Sequence, residues 1–355
     1  MTDMTISRQD DGPLAVDENA LSKQEKALKY AKRGLWLAIF AGMAWSWQGL
    51  FADQGAGRGF YADERFWLLA PILCGAINET WAGVIITIYN LMLGRGPELK
   101  RSLVSKPGRY VILGAMFGSI IGMSFYMASF SLVGAAYTLP ITASYPALAA
   151  FLAIFILKER IRPMAWMGLA GCVIGAIIIG YEPPETLTVS TGMFYLGLLL
   201  ALVAAFGWAM EGVLATFAMD FVQPAVALNI YHIAGSAVYC LVLIPLVCSG
   251  LIVDQGGLAT LKDMITGEGT GYLLLAGTVT PLALLSWYKA MNMTGVSRAM
   301  AINVTYSLWG IIFTAIFWQD VELTSFLITG AIVMFIGTVL VIGNPRDLVN
   351  LRKID

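Results

Sequence analysis

Charge is the scarcest commodity in this chain. Only 13% of its 355 residues are Asp, Glu, Lys or Arg, whereas a soluble domain carries about 25%. Such a shortage argues against an ordinary water-soluble design. The net charge of −1 gives nucleic acid no basic face to bind. Histidine is nearly absent too, with His232 alone in the chain. The four cysteines, Cys74, Cys172, Cys240 and Cys248, fall inside apolar runs and form no Cys-x-x-Cys pair. Metal-ligand spacing is missing, so the cysteines read as small core hydrophobes and no cofactor is expected.

What is plentiful is apolar length. Hydrophobic residues make up 58% of the chain, and a bilayer-spanning helix takes about 20 of them in a row. Ten runs qualify, near 34–52, 66–92, 108–129, 134–157, 163–181, 192–216, 224–248, 270–290, 297–318 and 323–343. The expected class is an all-α membrane protein with ten spans, seated in a lipid bilayer. A polar tail, 1–33, precedes the first run, and a second, 344–355, follows the last. The first run starts too late for an ordinary signal peptide and reads as a retained span. The stretch from Asp17 to Arg33 has the character of a surface helix.

The charges orient the spans. With both tails in the cytoplasm, only Arg58, Arg65 and Lys262 of the 22 lysines and arginines fall in outside loops. That asymmetry follows the positive-inside rule. A nine-span alternative puts Lys158, Arg160 and Arg162 outside and inverts every later loop. Ten spans, N-in and C-in, fit better, and the plasma membrane (the inner membrane, if bacterial) is the expected location. No inside loop has room for a nucleotide-binding domain, so an ATP-driven pump on this chain is excluded.

The chain also repeats itself. Residues 110–180 and 272–343 align at an offset of 161 to 163. Tyr126 falls on Trp287, Gly134 on Gly295, Tyr145 on Tyr306, Glu159 on Asp320, Gly175 on Gly337 and Gly180 on Gly343. Five spans separate the copies, an odd number, so the two cross the membrane in opposite senses. Inverted repeats are a common plan for secondary transporters, with the substrate held near the midplane between halves.

The fourth span reads Tyr145-Pro146-Ala147-Leu148-Ala149-Ala150-Phe151-Leu152 and is followed by Lys158-Glu159-Arg160-Ile161. On these residues and the five-plus-five plan, the chain resembles the drug/metabolite transporter superfamily, in its EamA-like branch. The second copy departs from the pattern, with Ser307 near the proline position and Gln319-Asp320 at the turn. The resemblance implies two five-helix repeats, 34–181 and 192–343, and a secondary carrier of small metabolites rather than an enzyme. It leaves the cargo open, because the superfamily moves amino acids, sugars, nucleotide derivatives, amines and drugs. It also implies that spans 5 and 10 lie away from the central cavity. Gly171 and Gly175 of span 5, and Gly114, Gly118 and Gly122 of span 3, form small-residue faces that suit helix packing. A homodimer contact through span 5 is a further expectation.

Ionisable groups inside a bilayer cost roughly 2.5–3.5 kcal/mol by insertion scales, so Glu79 in span 2 and Glu211 in span 6 stand out. Each reads either as a substrate or proton site or as a buried, hydrogen-bonded carboxyl. Trp208 precedes Glu211 by three residues and shares its face. Trp45, Tyr126, Tyr145, Tyr231, Trp287 and Tyr306 also lie deep in spans. An acid beside aromatic faces suits an organic cation. Amines, quaternary ammonium compounds or amino acids are therefore the favoured cargo. Polar stripes at helical spacing, Asn229/His232/Ser236, Asn303/Tyr306/Gly310 and Trp45/Gln48, must face inward. Whether they line a cavity or knit helices stays open. Pro71, Pro140, Pro146 and Pro281 interrupt helical bonding, and Pro146 is the expected gating element. A lipid-modifying membrane enzyme and a channel are the alternatives. No cluster of His, Asp or Cys supports the first, and no ring of charge supports the second.

Overall fold

A computed structural model describes residues 18–156, 163–181, 189–219, 221–251, 257–294, 299, 302–318 and 323–342. Its described residues contain helices and turns and no strand. The expected Lys158-Glu159-Arg160-Ile161 turn, the Gln319-Asp320 turn and residues 1–17 and 344–355 lie outside the described residues.

Helix α1 runs without interruption from Glu18 to Ala56. The expected surface helix before Gly34 is thus a continuation of the first span, because no proline interrupts the chain there and the helix runs through Gly34. A loop with two short 3-10 turns follows. There Asp63 accepts from the backbone N–H of Arg65 and pairs with its guanidinium. Those hydrogen bonds hold the Asp63 carboxyl down at about 2. Helix α2, Leu69–Met92, has 24 residues, about 36 Å at 1.5 Å per residue, enough for the hydrocarbon core. Pro71 lies in its first turn, where a missing N–H costs little, so it starts the helix rather than kinking it.

Helix α3 covers Gly96–Leu103, and α4 covers Lys106–Ala115. Helix α4 passes through a π-helical stretch, Met116–Met123, into α5, Ser124–Thr142. Inside α5, Gly134 takes φ 73°, a value that favours glycine, and so divides two rods. The second rod begins at Ala135, whose backbone N–H donates to Asp53 Oδ1 at 3.0 Å. A carboxylate on α1 thereby satisfies one of the orphan donors at that helix start. The chain breaks again at Ala143–Ser144 before α6, Tyr145–Ile156. Pro146 is the second residue of α6. It begins a helix segment and does not bend a continuous one.

Helices α7, Pro163–Ile179, and α8, Thr191–Met219, come next. Helix α9, Pro224–Val238, passes through a second π stretch, Tyr239–Leu243, into α10, Ile244–Cys248. Helices α11, Gly257–Thr266, and α12, Thr270–Thr294, lead to α13, Tyr306–Phe317, and α14, Ser325–Ile342. Six of the helical runs are long and apolar enough to cross a membrane. Shorter apolar helices occupy Pro163–Ile179, Tyr306–Phe317 and Ser325–Val341. The expected fourth span, 134–157, is split by the break before Tyr145.

The packing exchanges corresponding elements. Helix α1 lies along α12, and α8 lies along α4 and α5. Helix α6 packs on α8 as α13 packs on α1, α2 meets α9, and α7 meets α14. The glycine face of α7 is consumed within the chain. A Cβ at Gly168 would come 2.5 Å from the Gly337 carbonyl, and one at Gly175 would come 2.8 Å from that of Gly330. The packing reading of Gly171 and Gly175 therefore holds, and pairing of two copies would have to use another face. Large apolar side chains such as Trp36, Met167, Val173, Leu241 and Ile336 point outward, as a lipid-facing surface requires.

Candidate functional site

The two conspicuous acids have different surroundings. Glu79 is fully buried, and its Oε2 lies 2.9 Å from Nδ1 of His232, which is also fully buried. This contact joins α2 to α9. Ser236 and Asn229 continue the α9 stripe, and Asn229 Oδ1 accepts from Thr87 Oγ1 at 2.8 Å. The α9 stripe thus faces α2. Ser119 lies on the same side, because a Cβ at Gly235 would run into Ser119 Oγ and come 3.4 Å from Glu79 Oε2. Glu79 Oε1, His232 Nε2, Ser119 Oγ and Ser236 Oγ have no hydrogen-bond partner among the described residues. They form the kind of polar lining that ordered water satisfies.

Glu211 keeps partial exposure. Its carboxyl accepts hydrogen bonds from the phenols of Tyr231 and Tyr288. Both tyrosines are buried. Opposite them, α4 and its π stretch present Gly114 and Gly118. A Cβ at Gly118 would run into Glu211 Oε2 and stand 2.8 Å from Tyr231 Oη. One turn on, a Cβ at Gly122 would stand 2.8 Å from Trp208 Nε1. The expected packing role of this glycine stripe holds, since a Cβ at Gly207 of α8 would stand 2.8 Å from the Gly122 backbone N. Gly118 and Gly122 make the space in which the Glu211 and Trp208 side chains sit.

Trp208 carries the aromatic wall onward. Its ring meets Trp45 edge-on at 5.7 Å and Tyr126 at 4.9 Å. Tyr126 in turn lies 4.2 Å from Phe130 and donates to Gln48 Oε1 at 3.5 Å. Gln48 Nε2 donates to Asn78 Oδ1, which also accepts from Thr280 Oγ1 at 3.0 Å. On the far side of Glu211, Trp287 abuts Tyr288 and meets Tyr145 edge-on at 6.3 Å. Tyr145 is hydrogen-bonded by Asn303.

The expected site residues therefore sort into three sets. Glu211, Tyr231, Trp208, Trp45 and Tyr126 form one connected acid-and-aromatic group. Trp287 and Asn303 join it through Tyr288 and Tyr145. Glu79 pairs with His232, whose ring meets that of Tyr231 at 5.2 Å, and Tyr306 donates to Thr142 Oγ1 at 3.1 Å. Pro146 follows Tyr145 directly at the edge of the group. Sequence reasoning missed Tyr288 as a ligand of Glu211. Its neighbour Trp287 drew attention instead, although consecutive helix positions face different ways. The tyrosine at 288 is buried, and the tryptophan is only partly so. Among the described residues no group of three His, Cys, Asp or Glu side chains is placed to hold a metal ion.

Long apolar helices packed in exchanged pairs around a carboxylate with aromatic walls define a multi-pass membrane protein. Two stretches, 32–181 and 195–343, match the EamA-like transporter family, and the chain belongs to that family. It is 26% identical over 262 residues to Protein LicB of Haemophilus influenzae, covering 69% of this chain and 83% of that one. The crystal structure of another protein superposes with a TM-score of 0.58 at 16% identity. It covers 87% of this chain and 96% of the other, and shows a shared fold.

Proposed function

We propose that the protein is a secondary carrier of small organic cations, working by alternating access across a plasma membrane (the inner membrane, if bacterial). Ten helices cross the bilayer with both termini in the cytoplasm, as the lysine and arginine distribution favours. The two halves are inverted with respect to each other, and the exchanged helix pairing supports that plan. Membership of a transporter family favours a carrier over a lipid-modifying enzyme or a channel.

One observation carries the substrate class. Glu211 is a half-buried residue on the same helix face as Trp208, and Trp208 is edge-on to Trp45 and Tyr126. A carboxylate neutralises a cation, and aromatic faces attract it by about 0.5–2 kcal/mol each. Amines and quaternary ammonium compounds fit this best. Amino acids need a second, anion-binding group, and no lysine or arginine is buried among the described residues.

The test is thermal stabilisation of the purified protein by amines, quaternary ammonium salts, sugars and organic anions. A ligand at 100 times its dissociation constant adds about 2.7 kcal/mol of stability. Stabilisation by cations alone, lost in Glu211→Gln with the fold intact, supports the proposal. Stabilisation by anions or sugars alone overturns it.

A further inference from the structure

Glu79 and Glu211 are linked through neighbouring residues of α9: Glu79 meets His232, and Tyr231 lies beside Glu211 opposite Gly118. An ionised carboxylate in a low-dielectric space is costly unless a positive charge compensates it. No lysine or arginine is buried among the described residues. The other ionisable side chains that face Glu79 are the phenols of Tyr231 and Tyr239. Phenols supply no positive charge. Among the described residues, the group beside Glu79 that can carry a positive charge is His232, with Nδ1 2.9 Å from Glu79 Oε2 and no solvent exposure on either side chain. That separation suits a charge-assisted hydrogen bond. The His232 ring also meets the Tyr231 ring edge-on at 5.2 Å, and Tyr231 donates to Glu211. The pair therefore borders the site without occupying it.

We infer that His232 is the resident counter-ion of Glu79 and thereby a specificity-determining residue. It cancels one of the two carboxylates and leaves Glu211 alone to receive the substrate, so the site takes singly charged cations and rejects dications. The selectivity half of this inference rests on the cation reading proposed above; the charge assigned to His232 does not.

Because His232 is the only histidine, tag-free full-length protein labelled with ¹⁵N-histidine and placed in lipid nanodiscs gives one pair of ring-nitrogen signals. At pH 7.5 both nitrogens are expected in the protonated range, in the presence and absence of n-butylamine. A neutral imidazole in the wild-type protein overturns the assignment. The selectivity is read by thermal stabilisation with n-butylamine against 1,4-diaminobutane. The wild type favours the monoamine. His232→Gln shifts the affinity ratio toward the diamine by about tenfold, or 1.4 kcal/mol, and the Glu79→Gln/His232→Gln double variant restores the wild-type preference. An unchanged ratio in His232→Gln overturns the selectivity role. If neither amine stabilises the wild type, the cation reading and the selectivity half fall together, and the nitrogen shifts still decide the charge of His232.

Discussion

Ser144 and Thr305 play the same part 161 residues apart. The Ser144 hydroxyl donates to the Ile141 carbonyl at 2.7 Å, and the Thr305 hydroxyl donates to the Ile302 carbonyl at 2.6 Å. The backbone N–H groups of Ala147 and Leu308 then return to the Ser144 and Thr305 carbonyls, each at 2.9 Å. Each hydroxyl joins its own backbone N–H on the same carbonyl, and each break is followed by a tyrosine that opens a twelve-residue helix. Paired discontinuous helices beside the site are a recurrent feature of carriers.

Pro146 follows the first of these breaks, where it disfavours helical geometry in the residue before it. Pro146→Ala lets α5 and α6 join more readily. The expected outcome is a several-fold change in transport rate with an affinity within about twofold of wild type, measured by uptake into proteoliposomes and by thermal shift. Equal rates would remove the break from the transport cycle.

Gly118→Ala tests the space made for the site. Overpacking of this kind costs about 1–3 kcal/mol, and here the displaced atoms are the Glu211 carboxylate and the Tyr231 hydroxyl. Cation affinity should fall by more than tenfold, while Gly192→Ala, near open space at the start of α8, leaves it unchanged. Comparable losses in both variants would show that the effect is not local.

Glu79→Ala leaves His232 buried without its partner. Breaking a buried pair from one side costs about 3–5 kcal/mol, so the melting temperature should drop clearly. Thr80→Ala, the next residue and a half-buried one, should cost far less. The comparison is made by thermal unfolding in one detergent, and a Glu79→Ala melting point equal to that of wild type would contradict the pairing.

Asp53→Ala removes the acceptor for the Ala135 N–H. A lost cap costs about 1 kcal/mol. Amide exchange should quicken at Ala135 and its successors, and the rod before Gly134 should be unaffected.

The helical class and the repeat were legible in the sequence because they rest on local signals, apolar run length and the 161-residue offset; the paired breaks were not, because the apolar runs 134–157 and 297–318 continue through them. Helix pairing was not, because whether Gly118 meets a helix backbone or a carboxylate depends on which helix lies opposite. The same limit explains Glu79 and His232. Both were conspicuous as polar residues in apolar runs, yet they stand 153 residues apart, and nothing in either segment names the other. Tyr288 was hidden by burial, which periodicity alone does not resolve in a helix that is apolar on most sides.

The central claim is that Glu211 and its aromatic wall hold a small organic cation. The most direct test is the melting temperature of wild-type and Glu211→Gln protein with tetramethylammonium, n-butylamine, a neutral sugar and an organic anion. The account predicts stabilisation of the wild type by the two cations only, and none in Glu211→Gln at an unchanged ligand-free melting temperature. Stabilisation by the sugar or the anion alone, or an undiminished cation shift in Glu211→Gln, would contradict it.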